Sequence, residues 1–308
     1  MAKYLVTGGA GFIGSHIVEE LLNMGECVRV LDNLSTGKRE NVLAFAEKKN
    51  FEFMEGDLRS YHIVRESVKQ IDYVLHQGAL PSVPRSVKDP ITTNDVNVNG
   101  TLNILDACLS AGVKRVIFAS SSSIYGNSQE LPKTEDMKPA PESPYALSKY
   151  TGERYCQIFT KLHNLETVCL RYFNVFGPRQ DPNSQYSAVI PKFIQLIRNG
   201  KNPTIYGDGE ASRDFTFVKN VVNANLLACT AKQAVGEVYN IACGERITIN
   251  QMVDMLAGIL AVKVEPIYAE PRSGDVKHSY ASIEKAKRDL GYDVAVPFDD
   301  GLIRLAGG

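Results

Sequence analysis

The feature that most constrains the fold is a glycine-rich turn near the start of the chain. Residues 8–14 read Gly-Gly-Ala-Gly-Phe-Ile-Gly, and they stand between an apolar run at residues 4–7 and an amphipathic stretch at residues 11–24. Glycine lets the backbone approach a pyrophosphate closely, and the N–H groups that open the following helix favour phosphate charge. A second apolar run ends at Asp32, about 20 residues beyond the glycines, as in dinucleotide-binding units. These features together predict a dinucleotide site at the end of the first strand.

Apolar runs and amphipathic stretches alternate along the first half of the chain. They predict strands at residues 4–7, 27–31, 51–55, 73–77, 115–119 and 166–171, and helices at residues 11–24, 59–70, 95–111 and 144–163. Strands separated by helices imply right-handed crossovers and a parallel sheet. The second half is less regular, with helices predicted at residues 188–199, 218–230, 249–260 and 283–290. The sequence predicts an α/β fold: a Rossmann-type doubly wound parallel sheet with a smaller mixed α/β C-terminal substrate domain.

The predicted domains divide the chain at three points. Residues 1–174 form the dinucleotide-binding domain, to which residues 215–241 return, and residues 175–214 and 242–308 form the second domain. The 308 residues carry a formal net charge of -1 without long blocks of one sign, so no nucleic-acid or membrane partner is indicated. The six cysteines lack metal-binding spacing, which predicts no metal site. With no leader or membrane-length apolar run, we expect a soluble, cytoplasmic protein.

The sequence Tyr145-Ala-Leu-Ser-Lys149 indicates the chemistry beside the dinucleotide. Residues four apart share one face of a helix, so we expect the Lys149 ammonium near the Tyr145 phenol, lowering its pKa toward neutrality. Serines at residues 120–123 follow a predicted strand, where a hydroxyl can steady the oxygen of a forming carbonyl. The pattern predicts that Tyr145 is the acid/base in the oxidation of an alcohol.

The ends of the other predicted strands supply residues that can hold the dinucleotide. Asp32 can accept hydrogen bonds from the adenosine ribose, and its charge repels a 2′-phosphate, which favours NAD over NADP. Lys38 and Arg39 follow closely and keep NADP as the alternative. Asp57 and Leu58 are placed to meet the adenine, and residues 78–80 to border the phosphates and ribose.

Over essentially its whole length the chain resembles the extended short-chain dehydrogenase/reductase family, and within it the UDP-hexose 4-epimerases, most closely those acting on UDP-N-acetylglucosamine. The residues that carry the resemblance are 7–14, 32–34, 97–101, 121–126, 145–149, 171–177 and 213–215. It implies that bound NAD takes hydride from C4 of the sugar while Tyr145 removes the 4-hydroxyl proton, giving a transient 4-keto sugar. Hydride then returns to the opposite face and inverts C4. Lys149 is implied to bind the nicotinamide ribose, and Ser121 to hydrogen-bond the 4-oxygen.

The resemblance also implies which residues contact each ligand. The implied catalytic residues are Ser121, Tyr145 and Lys149. The cofactor-binding residues are Gly8, Gly11, Phe12, Ile13, Gly14, Asp32, Asn33, Leu34, Ser35, Thr36, Gly37, Asp57, Leu58, Gln77, Gly78, Ala79, Leu80, Asn97, Ala119, Tyr145, Lys149, Tyr172 and Phe173. The substrate-binding residues are Ser82, Ser121, Ser122, Ser123, Tyr145, Asn174, Gln180, Ala188, Val189, Lys192, Tyr206, Arg213, Arg272, Asp275 and Ser279.

Several of these matches bear on the choice of nucleotide sugar. Arg213 and Arg272 would take the diphosphate, and Asp275 a hydroxyl of the uridine ribose. Ser279 matches a position where a bulky tyrosine restricts some relatives to unacetylated hexoses, so serine leaves room for an N-acetyl group. Such space admits UDP-glucose and UDP-galactose as well. Pro81 departs from the glycine of the acetyl-accepting pattern.

The residues that follow Ser121 indicate the type of reaction. Related dehydratases and decarboxylases place an acidic residue between the Ser/Thr and the next tyrosine, where this chain has Ser122, Ser123 and Ile124. This favours epimerisation, which needs no such acid. The alternatives are a UDP-galacturonate 4-epimerase, another NDP-sugar decarboxylase or dehydratase, and a non-catalytic sensor. Residues 95–111 and 145–163 match a dimer-forming four-helix bundle of the family, which implies a homodimer.

Overall fold

The apolar runs of the first half pair as strands of one central sheet. The computed structural model describes residues 1–182, 189–271 and 277–307, and within them seven parallel strands lie side by side. Their order is Phe51–Glu55 (β3), Cys27–Asp32 (β2), Lys3–Thr7 (β1), Tyr73–His76 (β4), Arg115–Ser121 (β5), Glu166–Tyr172 (β6) and Val238–Ile241 (β11). Because the winding direction changes between β1 and β4, a crevice opens there at the carboxyl ends of the strands. The predicted Rossmann-type sheet is confirmed.

Helices connect and cover the strands. Those of the first half are Phe12–Asn23 (α1), Glu40–Leu43 (α2), Tyr61–Ser67 (α3), Val83–Lys88 (α4), Pro90–Asn94 (α5), Gly100–Ala111 (α6) and Pro144–His163 (α7). Those of the second half are Val189–Arg198 (α8), Val218–Thr230 (α9), Ile249–Leu260 (α10), Glu284–Leu290 (α11) and Phe298–Ala306 (α12). A π-helical turn at Asp95–Asn99 joins α5 to α6, and 3-10 turns cover Ser122–Tyr125 and Lys232–Ala234.

The predicted boundaries agree closely with these elements, with two corrections. All six predicted strands are confirmed within two residues at either end, and the helices predicted at residues 144–163, 218–230 and 249–260 have the predicted bounds. The helix predicted at residues 95–111 begins instead with the π-helical turn at Asp95–Asn99. The helix predicted at residues 59–70 is shorter, since Ser60 is extended and α3 ends at Ser67.

The sheet separates two apolar layers. Side chains alternate between the faces of a strand, so Tyr4 and Val6 of β1 pack with α1 and α9, whereas Leu5 packs with α3 and α6. Helix α7 lies on the second of these faces, where its Cys156 and Phe159 meet Phe118 of β5. The crevice at the carboxyl ends therefore lies between two rigid packed layers.

A third apolar cluster lies beside the sheet and organises the second half of the chain. It joins β7 (Val175–Phe176) to β10 (Thr216–Phe217) and includes α8, α10 and α12. The ring of Phe176 lies 5.5 Å from those of both Phe217 and Phe298, so aromatic contacts hold α12 against the strand pair. Two further strand pairs are β8 (Thr204–Tyr206) with β13 (Ile267–Ala269) and β9 (Ser212–Arg213) with β12 (Ile247–Thr248). In the described ranges, no helix is long and apolar enough to traverse a membrane.

Candidate functional site

The glycine-rich turn links the end of β1 to the first turn of α1. Gly8 has a φ of +66°, a conformation that favours glycine, and its N–H donates to the Leu31 carbonyl at 2.9 Å. Gly11 precedes α1 and donates to the Gly8 carbonyl at 3.0 Å. A Cβ on Gly14 would lie 2.2 Å from that carbonyl oxygen. The turn therefore requires small residues, and the α1 N-terminus, with no side-chain cap, is a cradle that fits the pyrophosphate of a dinucleotide.

Asp32 ends β2 beside this turn. Its carboxylate accepts hydrogen bonds from the backbone N–H of Ala10 at 3.0 Å and of Leu34 at 2.8 Å. Burial raises the pKa of Asp32, and these two bonds act in the opposite direction. The carboxylate thus lies at the rim of the turn, next to five further residues that the resemblance implies bind the cofactor, Asn33, Leu34, Ser35, Thr36 and Gly37.

The segment after β3 joins the same rim. Asn33 donates its amide to Asp57 at 2.8 Å, and a hydrogen-bonded ion pair with Arg59 holds the Asp57 pKa well below its usual range. Leu58 is buried, and its Cδ1 would lie 2.9 Å from a Cβ on Gly78. The predicted adenine segment therefore packs directly under the predicted phosphate loop.

One asparagine fixes the loop that follows β4, residues 77–80. Asn97 accepts from the Leu80 N–H at 2.7 Å and donates to the Leu80 carbonyl at 3.1 Å and to Ser148 Oγ at 3.0 Å. Gly78 donates its N–H to Thr7 Oγ1 at 3.1 Å. Asn97 thus ties this loop, which also contains Ala79, to the helix α7 that carries Tyr145.

The three predicted catalytic side chains meet at the carboxyl end of β5. Ser121 lies beside Tyr145, and its hydroxyl lowers the pKa of the Tyr145 phenol. Ser121 Oγ accepts from Ser123 Oγ at 2.9 Å and from the Ser123 N–H at 3.2 Å, which leaves its own hydroxyl hydrogen to be donated. Lys149 is buried and donates from Nζ to the Ala119 carbonyl at 2.9 Å. The arrangement places an acid/base, a hydroxyl donor and a cation at one strand end.

The structure corrects the predicted effect of Lys149 on Tyr145. Burial raises the Tyr145 pKa, and the group that lowers it is the Ser121 side chain. The reason is that the Lys149 ammonium is directed at the Ala119 carbonyl and lies 5.1 Å from the centre of the Phe118 ring. Burial lowers the Lys149 pKa to about 8, so the ammonium is the main form at neutral pH.

Tyr172 ends β6 at the same edge of the sheet. Its hydroxyl donates to Gln77 at 3.2 Å and accepts from Asn225 at 2.8 Å, and Gln77 donates to Asn225 at 3.1 Å. This closed triangle fixes Tyr172 beside the loop after β4. Phe173 is fully buried with its ring centre 6.0 Å from that of Tyr125, so the implied contact with the cofactor cannot come from its ring.

Three predicted substrate residues converge on one short segment, residues 212–214. Arg213 lies in β9 and donates to the carbonyls of Ser212 at 2.9 Å and Lys277 at 3.2 Å. The Ser279 N–H donates to the Ser212 carbonyl at 3.0 Å, and the Asn174 amide donates to the Asp214 carbonyl at 3.1 Å. The structure therefore brings together Arg213, Ser279 and Asn174, which are far apart in the sequence.

The other predicted substrate residues are distributed around this segment and the crevice. Gln180 follows β7, Val189 and Lys192 begin α8, Tyr206 ends β8, and Ser122 lies in the 3-10 turn after Ser121. Ser82 has a φ of +93°, a conformation that favours glycine, and its Oγ accepts from the Arg85 N–H at 3.4 Å. Ala188, Arg272 and Asp275 lie outside the described residues.

Buried polar groups that sequence reasoning missed support these residues. His76 lies between Thr7 Oγ1 at 2.7 Å and Thr101 Oγ1 at 3.0 Å, and burial lowers its pKa to about 3. Asp214 accepts from three backbone N–H groups, those of Cys243, Gly244 and Ala281, at 2.8 to 3.2 Å, and burial raises its pKa to about 6. For His76, the available signal was a polar residue at the end of an otherwise apolar run.

Comparisons with known proteins agree with this geometry. The model of the NAD dependent epimerase/dehydratase family matches residues 4–242. The chain is 39% identical over 302 residues to a putative UDP-glucose 4-epimerase of Methanocaldococcus jannaschii, covering 98% of this chain and 96% of that protein. It is 34% identical over 313 residues to a UDP-glucuronate 4-epimerase of Thermodesulfobacterium geofontis, covering 99% and 95%.

A solved structure is similar over almost the whole chain. It is the UDP-N-acetylglucosamine 4-epimerase of Methanobrevibacter ruminantium M1 in complex with UDP-N-acetylmuramic acid. The TM-score is 0.95 at 41% identity, and the match covers 99% of this chain and 97% of that one.

Proposed function

Because the chain belongs to the NAD dependent epimerase/dehydratase family, we propose that it is a UDP-sugar 4-epimerase, an isomerase that inverts C4 of a UDP-hexose reversibly with tightly bound NAD. The observation that carries the proposal is the meeting of Tyr145, Ser121 and Lys149 at the end of β5. The glycine cradle and Asp32 lie at the neighbouring strand ends, as a dinucleotide beside a reacting alcohol requires.

The side chains at the end of β5 have separate roles in this reaction. When bound, NAD supplies the acceptor and donor of hydride at C4. Tyr145 takes the proton of the 4-hydroxyl and returns it to the 4-oxygen once C4 is reduced on its opposite face. Ser121, oriented by Ser123, donates to the 4-oxygen as it becomes a carbonyl. Lys149 provides a positive charge and donors for the nicotinamide ribose.

The packing of the elements supports the assignment of the two ligands to two domains. We assign NAD to residues 1–174 with 215–241, since α9 and β11 pack with the central sheet. We assign the nucleotide sugar to residues 175–214 and 242–308. Arg213, Ser279 and Asn174 support this assignment because they converge on the segment 212–214.

The turn after Ser121 supports epimerisation over elimination or decarboxylation. Ser122, Ser123 and Ile124 form its 3-10 helix, and none of them is acidic. A dehydratase or decarboxylase needs a further acid or base beside the neighbouring carbon, whereas epimerisation at C4 uses Tyr145 alone for proton transfer.

The preferred sugar under this proposal is an N-acetylated hexose, interconverting UDP-GlcNAc and UDP-GalNAc, with UDP-glucose and UDP-galactose as further substrates. The support is the small, half-buried Ser279, whose backbone is fixed to Ser212. A serine there leaves space that a larger side chain would fill. The similarity to a UDP-N-acetylglucosamine 4-epimerase agrees with this preference.

A UDP-uronate 4-epimerase, with UDP-galacturonate or UDP-glucuronate as substrate, is the second candidate. The observation that favours it is the 34% identity to a UDP-glucuronate 4-epimerase over 313 residues. It would use the same side chains for C4 inversion and differ only in recognition of the sugar carboxylate.

Exposed apolar side chains on and beside α7, one of the two helices of the predicted four-helix bundle, support a homodimer. Leu147, Ile158 and Leu162 share one face of α7 and are 54%, 42% and 65% exposed. Val87 and Ile91, on the short helices α4 and α5 that pack against α7, are 64% and 81% exposed. Contiguous exposed apolar patches mark protein interfaces, so we assign this face to a second copy of the chain.

Proton NMR of purified protein incubated with single UDP-sugars tests the proposed function. UDP-GlcNAc, UDP-glucose and UDP-glucuronate would be supplied separately, without added reductant, and the C4-inverted sugars sought. UDP-GalNAc is the expected product. UDP-galactose alone would contradict the N-acetyl assignment, UDP-galacturonate alone would support the second candidate, and no inversion by NAD-containing protein would refute the epimerase.

A further inference from the structure

A buried carboxylate lies on the catalytic face of α7. Glu153 follows Lys149 by four residues and Tyr145 by eight, so the three side chains share one side of the helix. Glu153 is 1% exposed. Its Oε1 accepts from Ser120 Oγ at 2.6 Å and from Arg171 Nε at 2.9 Å, and its Oε2 accepts from Arg171 Nη2 at 2.9 Å. The buried carboxylate is therefore ion-paired with Arg171, and both of its oxygens accept hydrogen bonds.

These contacts complete a series of bonds between one helix and one strand. Two consecutive residues of β5 each bond a residue of α7: Ala119 accepts from Lys149, and Ser120 donates to Glu153. The next residue, Ser121, lies beside Tyr145 and lowers the pKa of its phenol. Because each helix residue rises about 1.5 Å, a slip of α7 by one residue would break the 2.6 Å bond to Ser120. The series fixes how far the Tyr145 phenol extends past the end of the strand.

Arg171 extends the same constraint to the edge strand β11. It lies in β6, is 3% exposed, and donates from Nη1 to Tyr125 Oη at 2.8 Å. Tyr125 in turn donates to Asn240 of β11 at 2.6 Å. The ion pair therefore joins α7, β5, β6 and β11 directly behind the strand end where Ser121 meets Tyr145.

A stabilising role alone does not account for this pair. Taking two charges out of water is costly, and apolar residues of similar volume often give equal or greater stability. What apolar residues cannot supply is a set of directional bonds that hold two elements at one relative position. The position held here is that of the acid/base.

We propose that Glu153, through Ser120 and Arg171, is a positioning residue for the epimerisation: it holds α7 in register with β5 so that Tyr145 and Ser121 face one sugar oxygen. The inference rests on the proposed function, since it assigns Tyr145 as the acid/base. Glu153 itself touches neither substrate nor cofactor.

The test removes both buried charges while keeping the side-chain volume, with the variant Glu153→Met/Arg171→Met. We expect folded protein with NAD content and KM for the UDP-sugar near those of the wild type, and kcat lower by roughly tenfold to a hundredfold, as for small misplacements of reacting groups. The milder Ser120→Ala, which removes one bond, should lower kcat in the same way but less. The matched control is Glu284→Gln/Lys287→Gln, an exposed ion pair on α11, which should leave kcat unchanged.

The pKa of Tyr145 distinguishes a positioning role of Glu153 from a purely structural one, because a purely structural role would leave this pKa unchanged. The tyrosinate absorbance that disappears in Tyr145→Phe can be followed against pH in NAD-bound protein. Displacement of the phenol from Ser121, whose side chain lowers the Tyr145 pKa, should shift the midpoint upward in the double variant and in Ser120→Ala. Unchanged kcat and midpoint in folded Ser120→Ala and double variant would overturn the proposal. An inactive wild type would instead refute the epimerase, and the shift in midpoint would still decide the role of Glu153.

Discussion

Tyr145 is the one side chain through which the proposed proton transfer passes. Replacing it with Phe removes the hydroxyl and keeps the ring, so the fold and both binding sites should be retained. We expect kcat to fall by about 10² to 10⁴-fold, the usual contribution of a positioned acid/base. The measurement is initial-rate C4 inversion of the best UDP-sugar, together with NAD content. Tyr150→Phe, on the same helix and also half-buried, is the control and should keep wild-type kcat.

His76 predicts how stability depends on pH. Its pKa falls from the model-peptide value of 6.5 to about 3 on folding, because burial disfavours the charged ring. The unfolded chain therefore binds a proton below pH 6.5 that the folded chain does not bind. Because the pKa of His76 is lower in the folded than in the unfolded protein, its contribution to stability is present above pH 6.5 and is lost as the pH falls. This residue alone should reduce the free energy of unfolding by about 2 kcal/mol between pH 7 and pH 5.

Urea unfolding at pH 5, 6 and 7 checks this value against His76→Gln. The variant should be less stable at pH 7, because Thr7 and Thr101 lose their ring partner, but its stability should change less with pH. His62→Gln, at an exposed position, serves as the control and should keep the wild-type slope. Parallel curves for wild type and His76→Gln would exclude His76 as the source.

The elements show what local sequence can and cannot predict. Helix α7 has the predicted bounds because Ser143 caps it, Pro144 starts it, and a left-handed residue, Asn164, ends it. Strand β11 (Val238–Ile241) was not predicted as a strand, since only its pairing with β6 identifies it as part of the sheet. Helices α4 and α5 were also missed: each is only six or five residues long and begins beside a proline. Short elements depend on tertiary contacts more than on their own pattern.

The first turn of α1 gives a sharp test at the scale of an element. In Gly14→Ala the new Cβ would meet the Gly8 carbonyl oxygen at 2.2 Å, so the glycine turn must open and the phosphate cradle with it. We expect purified Gly14→Ala to contain little NAD. Gly258→Ala is the control, since nothing lies within 4 Å of its Cβ in α10, and alanine there should stabilise the helix by up to about 1 kcal/mol. NAD released on denaturation, per mole of protein, is the measurement, and full NAD content in Gly14→Ala would contradict the cradle.

At the scale of the whole molecule, the site is assembled from both halves of the chain. The sequence predicted the strand-end residues Asp32 and Ser121, because parallel sheets gather ligands at one edge, and the helix residue Tyr145 beside them. It could not predict that Asp214 would hold the turns at Cys243 and Ala281 together, since those residues meet only in the folded protein. The predicted effect of Lys149 on the Tyr145 pKa was wrong for the same reason. Spacing along a helix predicts that two residues share a face, but it does not predict which group the ammonium donates to.

Helix α7 has two functional faces in this structure, which makes dimerisation separable from catalysis. Tyr145 and Lys149 face the sheet, whereas Leu147 and Leu162 are exposed on the proposed interface. Light scattering should give twice the 33.9 kDa chain mass for the wild type. Leu147→Asp/Leu162→Asp should give a monomer, because unpaired carboxylates would have to be buried in an apolar contact.

The control for this experiment is Ile267→Asp on β13, an equally exposed apolar residue outside α4, α5 and α7, which should remain dimeric. A monomeric wild type would refute the dimer, and a dimeric double variant would refute this interface. The monomer should retain NAD and part of its epimerase activity, because the bonds from α7 to β5 lie within one chain. Loss of activity as large as in Tyr145→Phe would mean that the second copy is needed to hold α7 in place.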